Sequence, residues 1–280
     1  MSTRKASRPV AKTGLLVASL VVAALALLPL LWGLSTALKP TAQILTYPPV
    51  WLPHPPTFES FTQVWQQSNL PIYVRNSVWV TVASLVLSLV LAVHAAYGLA
   101  RFSFRGKAAL MVGLLATSMI PGIAILVPLY NLAVHSGLYN THLAMIIVYA
   151  AWNVPMLVWL LKGFFESIPP ELEEAALVDG CGRLRAFYLI VLPMSRPGLL
   201  AGSIMAVMFV WNDFLIGFTL AISEQKRLLP VGLFTYISNY GVEWGQLMAA
   251  TVIALLPIII AFFVLQRFLV QGLMSGAVKG

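Results

Sequence analysis

Between residues 162 and 197 the chain reads KGFFESIPPELEEAALVDGCGRLRAFYLIVLPMSRP, a polar island in a very apolar sequence. Glu166, Glu171, Glu173, Glu174 and Asp179 lie here, among Lys162, Arg183, Arg185 and Arg196. Pro169 and Pro170 suit a helix start, where a missing N–H costs nothing. Glu171, Glu173 and Glu174 then sit at the positive end of the helix dipole. Gly180 is placed to end the helix in a left-handed cap. The result is a helix of about ten residues, too short to be stable alone in water. It needs a surface to pack on. Its exposed face presents Glu174, Ala175, Ala176 and Val178–Asp179. Small alanines allow close backbone approach, and the glutamate offers a charge-assisted contact to an Arg or Lys of a partner. A solvated loop helix packed on its own bundle carries the same charges, and taken alone the charge pattern favours that reading.

Other chemistry is sparse. No HExxH or GxSxG occurs, and His54, His94, His135 and His142 are scattered without metal-ligand spacing. We expect no catalytic group and no metal site. No GxxxxGK[ST] occurs either: Gly106-Lys107 lacks both the upstream glycine and the following Ser or Thr. Any ATP must therefore be bound elsewhere. The one cysteine, Cys181, cannot form an internal disulfide.

Composition explains what must position that loop. Of 280 residues 60% are hydrophobic and only 9% charged, with mean hydropathy +0.88, where a soluble domain carries about 25% charged residues. So few charges cannot cover a water-facing surface, so lipid is the solvent for much of the outside. Disorder, a nucleic-acid-binding module and a secreted disulfide scaffold are excluded together. A bilayer core about 30 Å thick needs about 20 apolar residues, and six stretches reach that length: 14–34, 77–100, 108–134, 142–161, 198–221 and 247–270. The first has an apolar run about twice that of a signal-peptide core and reads as a retained anchor. This predicts an all-α, polytopic six-helix bundle over 14–270, flanked by tails at 1–13 and 271–280.

Charge sets the expected orientation. With Arg267 at the end of the sixth stretch, thirteen Lys and Arg fall in the tails and in the loops after spans two and four, against four in the opposite loops. The positive-inside rule then places both termini in the cytoplasm. The outer loops are 39–76, rich in proline and in Tyr and Trp suited to the headgroup level, the minimal turn 135–140, and 222–246. The last holds Tyr236, Asn239, Tyr240 and Trp244 among glycines, a composition suited to a loop that touches something.

At this point the residues carry a resemblance. Glu174-Ala175-Ala176, three residues, Gly180, nine residues, then Ile190-Val191-Leu192-Pro193 resembles the EAA loop of ABC-importer permeases. Softer similarity runs through Leu38-Lys39-Pro40, Asn76-Ser77, Ala96-Tyr97 with Ala100-Arg101-Phe102, Pro121, Pro128, Trp211-Asn212-Asp213-Phe214 and the tail 272–280. It is similar above all to the second permease subunit of maltose-type carbohydrate importers, over nearly the whole chain after the first span. Cys181 departs from the alanine common at its position.

The resemblance implies a type I importer permease with no ATPase site of its own. Its short helix would be a coupling helix, with Glu174, Ala175, Ala176, Asp179, Gly180, Ile190, Leu192 and Pro193 serving the contact to a separate ATPase. Partners implied are two ATPase copies holding ATP and Mg, a second, homologous permease in a heterodimer, and an external solute-binding protein. The loop with Tyr236, Asn239, Tyr240 and Trp244 would meet the binding protein, and the tail at 275–280 would approach the ATPase. Substrates would be sugars or related polyols, at a bacterial-type inner membrane.

Within the spans, Asp213 is the lone acid. Such groups are costly in lipid and face a cavity or a partner. Either Trp211 stacks on a sugar while Asn212 and Asp213 accept from hydroxyls, with Asn153 lining the same path, or Asp213 makes an interhelical hydrogen bond. Pro121-Gly122 and Pro128 read as kinks, and Gly98, Gly113 and Gly202 as close-packing sites. His94 reads as a satisfied packing residue. A proton-coupled secondary transporter using Asp213 and His94 is the competing reading.

Overall fold

The computed structural model describes residues 8–238 and 241–277. Its helices are α1 (Arg8–Ala37), α2 (Glu59–Gln66), α3 (Leu70–Arg101), α4 (Lys107–Ser118), α5 (Gly122–His135), α6 (His142–Ser167), α7 (Glu171–Val178), α8 (Arg183–Met194), α9 (Arg196–Asn212), α10 (Leu215–Leu220), α11 (Leu229–Leu233) and α12 (Trp244–Ala277). Among the described residues the β structure is one ribbon, β1 (Ile237–Ser238) antiparallel to β2 (Gly241–Val242), with Ile237 opposite Val242.

Among the described residues four helices are long and apolar enough to cross a membrane: α1, α3, α6 and α12 as far as Phe263. Two bent pairs bring the number to six if each pair counts as one span. The third expected stretch is thus not a kinked rod but a corner, α4 and α5 meeting at 95°. Pro121 causes it: it lacks the N–H that would continue α4 and disfavours a helical Ile120. The fifth expected stretch is also interrupted. α9 ends at Asn212, Asp213 is extended (φ −72°, ψ 126°), and α10 starts at Leu215. The carboxylate of Asp213 accepts the backbone N–H of Ile216, at 3.1 and 3.2 Å from its two oxygens, which is the chemistry of a helix N-cap.

The chain divides into two compact units, Met1–Ser68 with Thr235–Leu255, and Asn69–Phe234 with Leu256–Gly280. In the first, α1 exposes its apolar side chains all round, Leu15, Val22, Leu25 and Leu31 among them, as a helix solvated by lipid does. Its end is tied down. Trp32 meets Trp51 edge to face with centroids 5.1 Å apart, and the Ser35 hydroxyl donates to the Trp51 carbonyl at 2.6 Å. The buried Lys39 ammonium lies 4.1 Å from the Trp32 ring centroid. Burial holds its pKa below the ordinary lysine value, and the ring's negative face opposes that loss. Elsewhere in this unit the Gln246 amide donates to Gln63 Oε1 at 3.1 Å.

In the second unit α3 and α6 pack along one another through Ala92, Ala96, Leu157, Val158, Leu161 and Phe165. The N-terminal end of α3 is pinned to the segment before α11. Asn76 Nδ2 donates to the carbonyls of Gln225 and Arg227 at 2.8 and 3.0 Å, and Ser77 Oγ accepts from the Leu229 N–H at 2.7 Å. α9 crosses α6 at Gly198 and Gly202, one turn apart. A Cβ on Gly198 would lie 2.5 Å from the Phe164 ring, and one on Gly202 2.8 Å from Leu157. Glycine at that spacing lets two backbones approach. Gly202 is therefore a close-packing site, as expected. Gly98 and Gly113 are not, because a Cβ on either would meet nothing within 4 Å.

Gly198→Ala should lower the unfolding temperature in detergent, since overpacking of this kind costs about 1–3 kcal/mol. Gly113→Ala, in open space, should leave it unchanged or raise it. Equal melting for the two would show that the α6–α9 crossing does not depend on glycine.

Candidate functional site

The polar island folds as a helix held at both ends. α7 is eight residues long, shorter than expected. Pro170 precedes it, and its carbonyl accepts the N–H groups of Glu173 and Glu174 at 2.9 and 3.0 Å. At the other end Gly180 adopts φ +87°. The Gly180 N–H reaches the Leu177 carbonyl at 3.1 Å and the Cys181 N–H reaches the Ala176 carbonyl at 2.9 Å. These two bonds are a Schellman cap, which needs a residue free to adopt the left-handed conformation.

Rotation about α7 separates its residues. Glu174, Ala175, Val178 and Asp179 are exposed, Val178 by 86%. Ala176 is buried, contrary to the exposed face expected for it. Two residues beyond Glu174 is about 200° of turn at 3.6 residues per turn, so Ala176 belongs with Glu173 on the packing side.

Glu173 is the residue of this helix whose anchoring the sequence reading missed. It is 8% exposed and both of its carboxylate oxygens are used. The Tyr97 hydroxyl donates to Oε2 at 2.8 Å, and Arg101 Nε pairs with Oε1. Arg101 Nη2 also donates to the Ile168 carbonyl at 3.0 Å. A buried pair of this kind is costly to break, about 3–5 kcal/mol when one partner is removed, because the other charge is left uncompensated. A signal was present: adjacent glutamates differ by about 100° on a helix, so both cannot lie at the centre of one exposed face.

Downstream, α8 contains a π-helical turn over Phe187–Val191, closed by the Leu192 N–H on the Phe187 carbonyl. Pro193 explains it, since its ring would collide with the carbonyl four residues back, and the wider turn makes room. Phe187 is fully buried, its ring 4.3 Å from that of Tyr97 and 6.0 Å from that of Phe165. Ile190, Leu192 and Pro193 are half-buried in the same stretch. They shape the return of the chain toward α9, which leaves α8 at 73°.

The remaining candidates fall in different surroundings. Trp211 is 6% exposed, so its ring is not open for stacking. Asn212 is exposed and its Nδ2 donates to the Met208 carbonyl at 2.8 Å. Asp213 caps α10, within its own chain segment rather than across helices. Asn153 is buried, and its Nδ2 has no partner among the described residues. His94 is satisfied on both sides, Nδ1 with the Val90 carbonyl at 2.7 Å and Nε2 with the Tyr188 hydroxyl at 2.6 Å. Asp213 and His94 share none of these partners. Tyr236 is buried with its hydroxyl 3.0 Å from Ser68 Oγ, whereas Trp244 is exposed. Asn239 and Tyr240 lie outside the described residues, as do 278–280 of the tail.

Residues 84–275 match the family model described as "Binding-protein-dependent transport system inner membrane component". The chain belongs to this family. It is 35% identical over 252 residues to the diacetylchitobiose uptake system permease protein DasC of Streptomyces coelicolor, covering 90% of this chain and 91% of that protein. It is 30% identical over 271 residues to the trehalose/maltose transport system permease protein MalG of Thermococcus litoralis, covering 95% and 96%. A chain of a bacterial ABC transporter that imports the acidic polysaccharide alginate superposes with a TM-score of 0.80 at 23% identity, over 95% of this chain and 99% of that one. The fold is that of a type I ABC-importer permease, and the chain is an inner-membrane permease subunit whose ATPase is a separate protein.

Gly180→Ala should destabilise the loop by about 1–2 kcal/mol, the cost of a Cβ in the left-handed region, seen as faster protease cleavage between α7 and α8. Gly182→Ala, at φ −72° with open space around it, should cleave at the native rate. Equal rates would remove the cap from the account.

Proposed function

We propose that this chain is the second of two homologous, non-identical permeases in a carbohydrate importer. It works with two copies of an ATPase that hold ATP and Mg, and with an external binding protein that delivers a sugar or related polyol. α7 is the coupling helix. The observation that carries this reading is the division of α7 into an anchored face, Glu173 and Ala176, and an exposed face, Glu174, Ala175 and Val178, in the EAA spacing. On that face Glu174 offers a carboxylate to a basic residue of the ATPase, and Ala175 beside it permits close approach. Asp179, Ile190, Leu192 and Pro193 hold the flanking backbone.

ATP binding favours the closed ATPase dimer, and the bundle follows because its two arrangements differ in free energy by what the ATPase contributes. Carbohydrate as cargo is supported by the relatives that carry diacetylchitobiose and trehalose or maltose in their names. On the path through the bundle we place Asn212, exposed beside the Asp213 break, and Asn153, whose unpartnered Nδ2 needs an acceptor. Outside, Trp244 and the ribbon next to it face the binding protein. Both termini lie in the cytoplasm, as the distribution of Lys and Arg supports.

Glu174→Arg is the test. The protein should still insert, with native abundance in the membrane, because Glu174 makes no contact that holds the fold. Co-purification of the ATPase should fall at least tenfold, as befits loss of a charge-assisted bond and its replacement by repulsion, and uptake should fall with it. Native co-purification and uptake would rule out α7 as the docking element.

A further inference from the structure

The C-terminal end of α3 carries three polar side chains on one face, His94, Tyr97 and Arg101, spaced three and four residues apart. Together they reach three parts of the segment between α6 and α9. Arg101 holds the Ile168 carbonyl before α7 and the Glu173 carboxylate within it. Tyr97 donates to the other oxygen of Glu173 at 2.8 Å. His94 bonds the Tyr188 hydroxyl beyond α7 at 2.6 Å. His94 Nδ1 faces the Val90 carbonyl, and a proton on that nitrogen leaves Nε2 to accept from the Tyr188 hydroxyl. The stripe thus grips the loop before, within and after the two-turn helix.

Covalently this segment belongs to α6 and α9, not to α3. A two-turn helix has little stiffness of its own, and the chain bends by 73° where α8 gives way to α9. Apolar contacts alone would let such a helix slide. A carboxylate fixed by two directional donors has one register. We propose that His94, Tyr97 and Arg101 form a polar clamp that makes α7 and α3 one rigid body, so that a pull on the exposed face of α7 is delivered to α3. Because α3 packs along α6 over their buried faces, the displacement enters the centre of the bundle instead of being absorbed in the loop. Glu173, Tyr97, Arg101 and His94 are positioning residues: they act through α7, whose other face meets the ATPase. The clamp rests on the coupling role of α7 proposed above.

The test uses the importer assembled with its ATPase in lipid vesicles. Cys181→Ser removes the native thiol. Nitroxide labels go on Leu172→Cys in α7, off the face that carries Glu174 and Val178, and on Ala95→Cys in α3, both at exposed positions. The distance between them is measured without nucleotide and after trapping with ATP and vanadate. With the clamp intact, the distribution should be narrow and should move by less than about 2 Å on trapping, the scale of small helix shifts. In Glu173→Gln, and separately in Tyr97→Phe, it should broaden or move further. Tyr97→Phe keeps the ring in its aromatic cluster and deletes a single oxygen, so a change there cannot be put down to misfolding. A larger movement in the intact protein while the ATPase stays bound overturns the clamp alone, as would variants as narrow as the parent. A parent protein that never retains the ATPase overturns the coupling role of α7 and the clamp with it.

Discussion

Two turns of helix cannot persist in water by their own hydrogen bonds, because nucleation costs more than so few residues return. Every feature around α7 answers that constraint. Pro170 and the Schellman cap at Gly180 satisfy backbone groups at the two ends. The Glu173–Arg101 pair and the Tyr97 hydroxyl fix one side to the C-terminal end of α3. What remains on the other side is a short rigid surface with a free carboxylate at its centre. The docking role proposed for it depends on that anchoring, since a frayed helix would have to be ordered at the moment of binding, and part of the contact energy would go into ordering it.

The glutamates show how much of this was legible in the sequence. Composition and run length were enough for a lipid-solvated helical bundle, and the spacing from Glu174 to Pro193 was enough for the family. Gly180 could be read as a left-handed cap because few other residues accept that conformation. The partner of Glu173 could not be read, because Tyr97 and Arg101 lie more than seventy residues away and only the packing of α3 on α6 brings them near. Arg101 counted in the sequence as one more cytoplasmic charge. Its donors are in fact committed to Glu173 and Ile168. Ala176 was misplaced for a different reason: it lies about 200° from Glu174, so the two cannot share one face of the helix.

Interruptions in the spans were harder still. A hydropathy window sees 108–134 and 198–221 as continuous, since lipid solvates a corner as well as a rod if its backbone groups are satisfied. At Pro121 the missing N–H needs no partner, which is why the corner costs little there. At Asp213 no proline is present, and the interruption depends on a carboxylate that supplies its own backbone contact at Ile216. The Asn212-Asp213 doublet resembles the start of a helix more than the middle of one, and this signal was outweighed by the apolar run on each side. An acid inside a span was read as facing a cavity or another helix. Local capping satisfies part of it more cheaply, since the carboxylate needs only the backbone next to it.

The two adjacent acids of α7 therefore divide the work that one site must do. Glu173 gives up exposure to water and, paired with Arg101, fixes where the helix is. Glu174, about 100° around the axis, is exposed and keeps its hydration and its charge, as the proposed docking requires. Exchanging their environments would fail in both directions. A buried Glu174 would have no cation beside it, and an exposed Glu173 would leave Arg101 buried without its counter-ion, the costly case for a charge out of water. The order anchor-then-contact is consequently fixed by the angular geometry of the helix and by the position of Arg101 on α3. That is a physical reason for the pair to stand together at the start of this loop.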